Sequence, residues 1–218
     1  MSEKRKKELI ELAQEYQFII LEDGDGAEIY YHKALPLSLF HLDKDNRVIY
    51  LAKLGKILPP TFQNAYIVAA ENFISEVNKY LALLEPQGDF VMQQAIGEII
   101  EEGLLHRNQR KVLKQYQERK TYFEQQLYQH FAGLAKWNSP SGGFAFWLEW
   151  NDKISLIKLV KKCAENQLFI PKNCLYQDNK TCAIRLGFAH LTTKEMHQAL
   201  SILKEAHTSL LLEKETVK

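Results

Sequence analysis

The chain has 218 residues, enough for one compact domain or two modest ones. Hydrophobic residues at 46% and charged residues at 25%, with 10 glycines and 6 prolines, exclude a disordered, collagen-like or low-complexity polymer. The 28 Lys and Arg against 27 Asp and Glu leave a formal charge of +1, so no overall electrostatic attraction draws the chain to nucleic acid or to an anionic membrane.

The first residues, Met1 to Lys7, are mostly charged and lead into alternating apolar and charged positions, which is not the unbroken apolar core of a signal peptide. No stretch reaches the ~20 apolar residues of a membrane-spanning helix. Leu9, Ile10, Leu12, Ala13 and Tyr16 recur at helical spacing and predict an amphipathic helix over residues 2–17 with Ser2 as its N-cap. Phe18, Ile19, Ile20 and Leu21 follow as a continuous apolar run, ended by Glu22, Asp23, Gly24, Asp25 and Gly26, the pattern of a strand buried on both faces of a parallel sheet. Residues 48–51 and 65–69 read as two more such strands, with a glycine- and proline-containing loop over 55–61 between them. Strands of this kind separated by helices predict an α/β layer.

Helices are expected over 71–84, 90–101 and roughly 104–131. Beyond them Gly142 and Gly143 precede a strand over 144–150, residues 154–166 form an amphipathic helix, 182–188 a strand and 192–207 a last helix. This second part reads as a smaller α+β domain. The division is placed near Leu104, giving domains 1–104 and 105–218.

Cys163, Cys174 and Cys182 are an odd number at spacings of 11 and 8, with no Cys-x-x-Cys unit, and are expected as buried thiols of a reducing cytoplasm rather than a zinc or redox motif. Asp23, Gly24 and Asp25 continue with Ala27 and Glu28 where a calcium loop needs other residues, and Gly55-Lys56 lacks the first glycine and the hydroxyl of a phosphate loop. Arg107, Arg110, Lys111 and Lys114 share a helix with the apolar stripe of Leu105, Val112, Tyr116, Phe123 and Leu127, so they read as its solvated face, not a nucleic-acid surface. Trp147 and Trp150 are expected in a domain core. Arg185, in an apolar strand, needs a carboxylate partner, either a substrate or an internal Asp or Glu.

Ile20-Leu21-Glu22-Asp23-Gly24-Asp25, then Val48 to Leu51 running on to Lys56, and finally Ile184-Arg185-Leu186-Gly187-Phe188 resemble the C-terminal half of the pyridoxal-phosphate-dependent class I aminotransferases (fold type I). The likeness is greatest to the aminotransferase-like domain of MocR-type regulators of the GntR group, and it covers nearly the whole chain. The fold it implies is part of a three-layer, mainly parallel large domain followed by a small α+β domain. The cofactor it implies is pyridoxal phosphate. On the same resemblance Lys56 matches the lysine whose amine takes the cofactor aldehyde and moves the substrate α-proton, Asp23 the partner of the pyridine nitrogen, and Arg185 the fork that receives the substrate carboxylate.

The departures are local. Lys53, Gly55 and Gln63 occupy places that the family gives to the two small hydroxyl residues and the arginine holding the cofactor phosphate, and Asp25 stands where a tyrosine meets the ring hydroxyl. Thr61 and Ala65 replace two glycines of the same loop. In the family the helix matching residues 2–17 lies in mid-chain. The expected function is therefore a truncated or degenerate aminotransferase-like domain of a MocR-type regulator without independent transaminase activity. The alternative is half of an active aminotransferase that needs a separate N-terminal chain. Expected partners are an amino acid or 2-oxo acid and either a homo-oligomer or that N-terminal half chain. No nucleic acid or membrane is expected to bind this chain alone, and the location is taken as cytoplasmic.

Overall fold

A computed structural model describes residues 1–32, 36–54, 58, 64–84 and 89–216. Ser2 caps the first helix, α1 (Glu3–Glu15), by accepting the Arg5 N–H at its Oγ. The helix ends at Gln17, a left-handed residue at φ 56°, and the chain reverses into β1 (Ile20–Asp23). β1 runs parallel to β2 (Val48–Lys53), with Ile20 opposite Val48 and Asp23 opposite Leu51. The third strand, β3 (Ala65–Val68), is antiparallel to β2.

The expectation of two-sided burial needs correction. Ile10 and Ala13 of α1 close over Ile20 and Val48, with Leu39 of a short helix α2 (Leu39–Leu42) completing this core. Alternation sends every second side chain to the other face, where Leu21 is 63% and Ile67 41% exposed. Helices therefore cover one face of this three-stranded sheet, and β3 is exposed along its length.

Helix α2 has no periodic signature and is set by anion capping. Both carboxylate oxygens of Glu22 accept backbone N–H groups, from Leu39 and from Phe40, each at 2.9 Å. Asp43 then accepts from the amides of Arg47 and Val48 and leads the chain into β2. The helices expected next form as α3 (Glu71–Leu83), which buries no residue, α4 (Phe90–Glu101), capped by Asp89, and α5 (Leu104–Phe131).

The chain divides into two units, Met1–Leu113 and Lys114–Lys218, with the change falling inside α5. The second unit holds an antiparallel sheet in the order β4 (Ala135–Trp137), β5 (Ala145–Trp150), β7 (Cys182–Gly187), β6 (Leu175–Gln177). β4 and β6 have three residues each, too few to leave a period in the sequence. Two helices, α6 (Leu156–Glu165) and α7 (Thr193–Thr216), complete the unit. Phe123 stacks on Phe146 at 5.5 Å, and Leu127, Leu148, Leu159, Ile184 and Leu203 are buried with them. Trp150 is 4% exposed and belongs to this core, whereas Trp147 is 41% exposed, because adjacent odd and even positions of β5 face opposite ways. Trp147 instead packs its ring at 4.5 Å from Tyr176. The expectation of buried thiols is met at Cys163 and Cys182 and not at Cys174, which is half-buried.

His207 is fully buried, its ring stacked 4.2 Å from Trp150 at 10°, with neither ring nitrogen hydrogen-bonded. Burial first, and then the Lys204 cation, push its pKa below the ordinary histidine value, against a smaller opposing effect of Asp152. His130 is lowered likewise, by burial and by His197 and Lys204. A histidine with a depressed folded pKa takes up its proton in the unfolded chain first, so stability is full above the unfolded value of about 6.5 and is lost as pH falls through it toward the folded pKa. Urea midpoints followed from about pH 7.5 to about pH 5 should fall, and the fall should be smaller in His207→Phe.

Candidate functional site

The first cluster lies at the carboxyl ends of the parallel pair β1 and β2, the end at which open α/β sheets bind ligands. Asp23 closes β1 and is exposed; its Oδ1 accepts the Asp25 N–H at 2.9 Å in a side-chain-capped turn. The Gly24 N–H continues the ladder to the Leu51 carbonyl at 2.7 Å, and Gly26 at φ 82° completes the reversal. Asp23 is paired with Leu51, and Lys53 lies two residues farther along β2, so carboxylate and ammonium project from the same face. Lys53 is exposed, a mobile point charge rather than a fork.

Gly24 is held by Tyr50, since a Cβ at position 24 would lie 2.2 Å from the Tyr50 Oη. The Tyr50 ring has Phe40 at 6.5 Å and Tyr66 at 6.2 Å. Burial raises its pKa, and Tyr66, Glu22 and Glu28 raise it further. The phenol is thus a neutral group wedged under the turn that bears Asp23.

Lys56, Gly55 and Gln63 lie outside the described residues. Of the groups that would meet pyridoxal phosphate, the described residues supply Asp23, whose carboxylate suits a protonated ring nitrogen, and the single cation of Lys53. Asp25, at the place of a ring-hydroxyl partner, adds a second negative charge. The chemistry of Asp23 thus fits the ring-nitrogen end of the group, and among the described residues of this cluster Lys53 is the cation that could meet its phosphate end.

The second cluster surrounds Arg185 on β7. Its neighbour Ile184 is fully buried, so alternation turns Arg185 out of the core, opposite Trp147 of β5. The guanidinium is exposed and points one N–H toward the Cys174 Sγ at 3.9 Å. The sequence left open an internal carboxylate; among the described residues none pairs with Arg185, and solvent removes the cost of leaving it so. A cleft of about 570 Å³ opens beside it, walled by Phe144, Leu168, Phe169, Ile170 and Leu200. The sequence reading missed this cleft, whose signal was the apolar run Leu168-Phe169-Ile170 before Pro171, absorbed by neither a helix nor a strand pattern.

Other basic residues of α5 have structural places. Arg119 donates to the Ala189 carbonyl, Tyr116 meets the Phe144 ring edge-on at 4.8 Å, and Arg107, Arg110, Lys111 and Lys114 are solvated. Among the described residues no group of three metal-ligating side chains gathers, and no helix is long and apolar enough to cross a membrane.

No protein-family profile matches the chain. It is 28% identical over 208 residues to aromatic-amino-acid aminotransferase 1 of Thermococcus litoralis, covering 94% of this chain and 50% of that protein. It is 26% identical over 200 residues to the HTH-type transcriptional regulator YdfD of Bacillus subtilis, covering 92% of this chain and 42% of the regulator. Its structure matches kynurenine aminotransferase of Pyrococcus horikoshii, solved with PMP, at a TM-score of 0.85 and 25% identity, over 96% of this chain and 52% of the other. The chain spans about half the length of the curated relatives it matches. Sequence and fold are similar to those of pyridoxal-phosphate-dependent aminotransferases and of HTH-type regulators over about half of their length, which fits a C-terminal half, and pyridoxal phosphate is the cofactor of the aminotransferases it resembles.

The Gly24 and Tyr50 contact can be checked directly. Gly24→Ala should lower unfolding stability by about 1–3 kcal/mol through overpacking, and in a Tyr50→Ala background the same change should cost less than half as much. Denaturant midpoints of the four proteins in this cycle give the coupling.

Proposed function

We propose that this chain is part of an aminotransferase-like domain of a MocR-type regulator that binds the carboxylate of an amino acid or 2-oxo acid at Arg185 and does not transaminate by itself. The observation that carries the reading is the Arg185 guanidinium, held at an open cleft with no internal carboxylate opposite it among the described residues. A planar fork of this kind takes a carboxylate through two parallel hydrogen bonds. Lys53, Gly55, Gln63 and Asp25, at the places of phosphate and ring-hydroxyl partners, support the absence of turnover.

When bound, pyridoxal phosphate supplies an electron sink for the carbon next to the amino group. The chain's own contributions are then distinct. On the resemblance, Asp23 would hold a proton on the ring nitrogen, Lys56 would be the amine facing the aldehyde, and Arg185 would orient the substrate by its carboxylate. The free thiols of Cys163, Cys174 and Cys182 support a cytoplasmic location. Mixing the purified chain with pyridoxal phosphate, an amino acid and a 2-oxo acid should give no product, while carboxylate binding should be lost in Arg185→Gln. Turnover by the chain alone, abolished in Lys56→Ala, overturns the reading.

A second reading is favoured by the apolar face bearing Leu21 and Ile67 and by α3, which buries nothing. A contiguous apolar face marks an association surface. On this reading a separate chain corresponding to the N-terminal half of the aminotransferases packs there and completes an active enzyme. Co-expression with such a chain should then yield a complex that transfers amino groups; a co-purified complex with no activity counts against it, as does self-association through the same face, which Leu21→Lys would disrupt.

A further inference from the structure

We propose that His130 of α5 and His197 of α7 form a two-histidine site for a divalent transition-metal ion of the zinc and nickel kind, and that Gln126 orients one of the two rings toward it. All three residues belong to the second unit, and the site draws on neither Arg185, Asp23, Lys56 nor a bound cofactor.

The rotation of both helices is set by what they bury. Phe123, Leu127 and Phe131 of α5 and Met196, Leu200 and Leu203 of α7 are core residues. Gln126 and His130 each precede one of these and stand one helical turn apart, so they share the flank of the apolar stripe of α5, while His197 follows Met196 on the flank of α7. The start of α7 is closed by reciprocal bonds, the Thr192 N–H on the Glu195 Oε2 at 2.7 Å and the Glu195 N–H on the Thr192 Oγ1 at 3.3 Å, which fixes the helix half a turn before His197. From there the His197 ring reaches both side chains of α5. Its centre is 5.5 Å from that of His130, and its Nδ1 is 2.6 Å from the Gln126 Oε1.

Gln126 is 6% exposed, and its Nε2 donates to the Gln129 Oε1 at 2.7 Å, so its oxygen is the atom turned to His197. An amide oxygen only accepts. The His197 Nδ1 therefore carries the ring proton and its Nε2 the lone pair, the arrangement in which metal-ligating histidines are held, one nitrogen tethered to an acceptor and the other left for the ion. The Nε2 of His130 is buried and has no hydrogen-bond partner among the described residues, a cost that a bound ion would relieve. The spacing fits one shared ion. A nitrogen about 2.0–2.1 Å from zinc puts its ring centre about 3.2 Å from the ion, and two such rings at a tetrahedral angle have centres about 5.2 Å apart. Among the described residues no third His, Cys, Asp or Glu completes the set, so the other positions fall to water and the ion exchanges with solution. Charge acts in both directions here. The carboxyl end of α5, whose last turn holds His130, favours a cation. Burial, then His197 and then Lys204 lower the His130 pKa, which keeps the imidazole in its ligating form, while the Lys204 cation itself opposes the ion.

The test is isothermal titration of the full chain, freed of metal by a chelator, with Zn²⁺, Ni²⁺ and Mg²⁺. Zn²⁺ and Ni²⁺ should bind, and Mg²⁺, which takes oxygen ligands, should not. His197→Gln, altered at an exposed position, should weaken both ions by at least about tenfold, and His130→Phe should do the same. Gln126→Leu should cost about tenfold, and Gln126→Glu, which restores an acceptor for the His197 Nδ1–H, should recover that affinity, a recovery that a space-filling role would not give. Should His130→Phe fail to fold, the variants at His197 and Gln126 decide. If neither Zn²⁺ nor Ni²⁺ binds the parent chain, or if both bind His197→Gln as tightly as the parent, the inference falls. If Gln126→Leu costs nothing, the part given to Gln126 falls.

Discussion

The alternation of side chains along β7 is the constraint from which the candidate ligand site follows. Ile184 is locked in the core against Phe146 and Leu148, and this fixes the strand in one register; a slip by one residue would bring the Arg185 charge inside and expose an isoleucine. Burial of an apolar neighbour thus decides where a guanidinium points. The same logic divides Trp150 from Trp147 on β5, one stacked on His207 inside the unit and the other beside Tyr176 outside it. Arg185 is left with a sulfur neighbour, an aromatic strand partner and an apolar cleft, a setting in which the strongest interaction open to it is with an anion brought from solution.

Four carboxylates elsewhere in the molecule are engaged by backbone N–H groups. Glu22 caps α2, Asp43 caps the entry to β2, Asp23 holds the turn after β1, and Asp178 accepts from Lys180 and Thr181, which lowers its pKa. Acidic residues that sequence alone leaves as possible ligands are in this way tied to loop geometry. One oxygen of Asp23 fixes its own turn, which sets the direction of the carboxylate at the strand end.

Long amphipathic helices and strands with strong patterns were legible in the sequence. The span expected over 90–101 forms as α4 with those bounds, and Ser2 is the cap that its position suggested. The apolar runs around Ile20 and Ala65 were read correctly as strands and incorrectly as buried on both faces, because a run of apolar residues reports what a sheet could bury and not what covers it. α2, β4 and β6 left no signal, each being shorter than the window that a period needs. For the site, Asp23 and Arg185 were singled out by motif resemblance alone; periodicity could give Arg185 a strand but not a face, and the closing motif after α6 depends on a left-handed glutamine with no sequence signature.

The two clusters differ in what each demands of the chain. Moving a proton on a cofactor requires the ring, its phosphate and an amine to be held together, and on the resemblance Lys53, Gly55 and Gln63 stand at the places of the phosphate partners. Recognising a carboxylate requires one fork and a wall of matching polarity, and both sit on β7 and the segment after α6, inside a single unit stabilised by Phe123, Phe146 and Phe188. On that reading, loss of the β7 register would destroy the recognition element. On the reading proposed above, binding outlasts catalysis because it rests on fewer groups, each fixed by the same core that folds the unit.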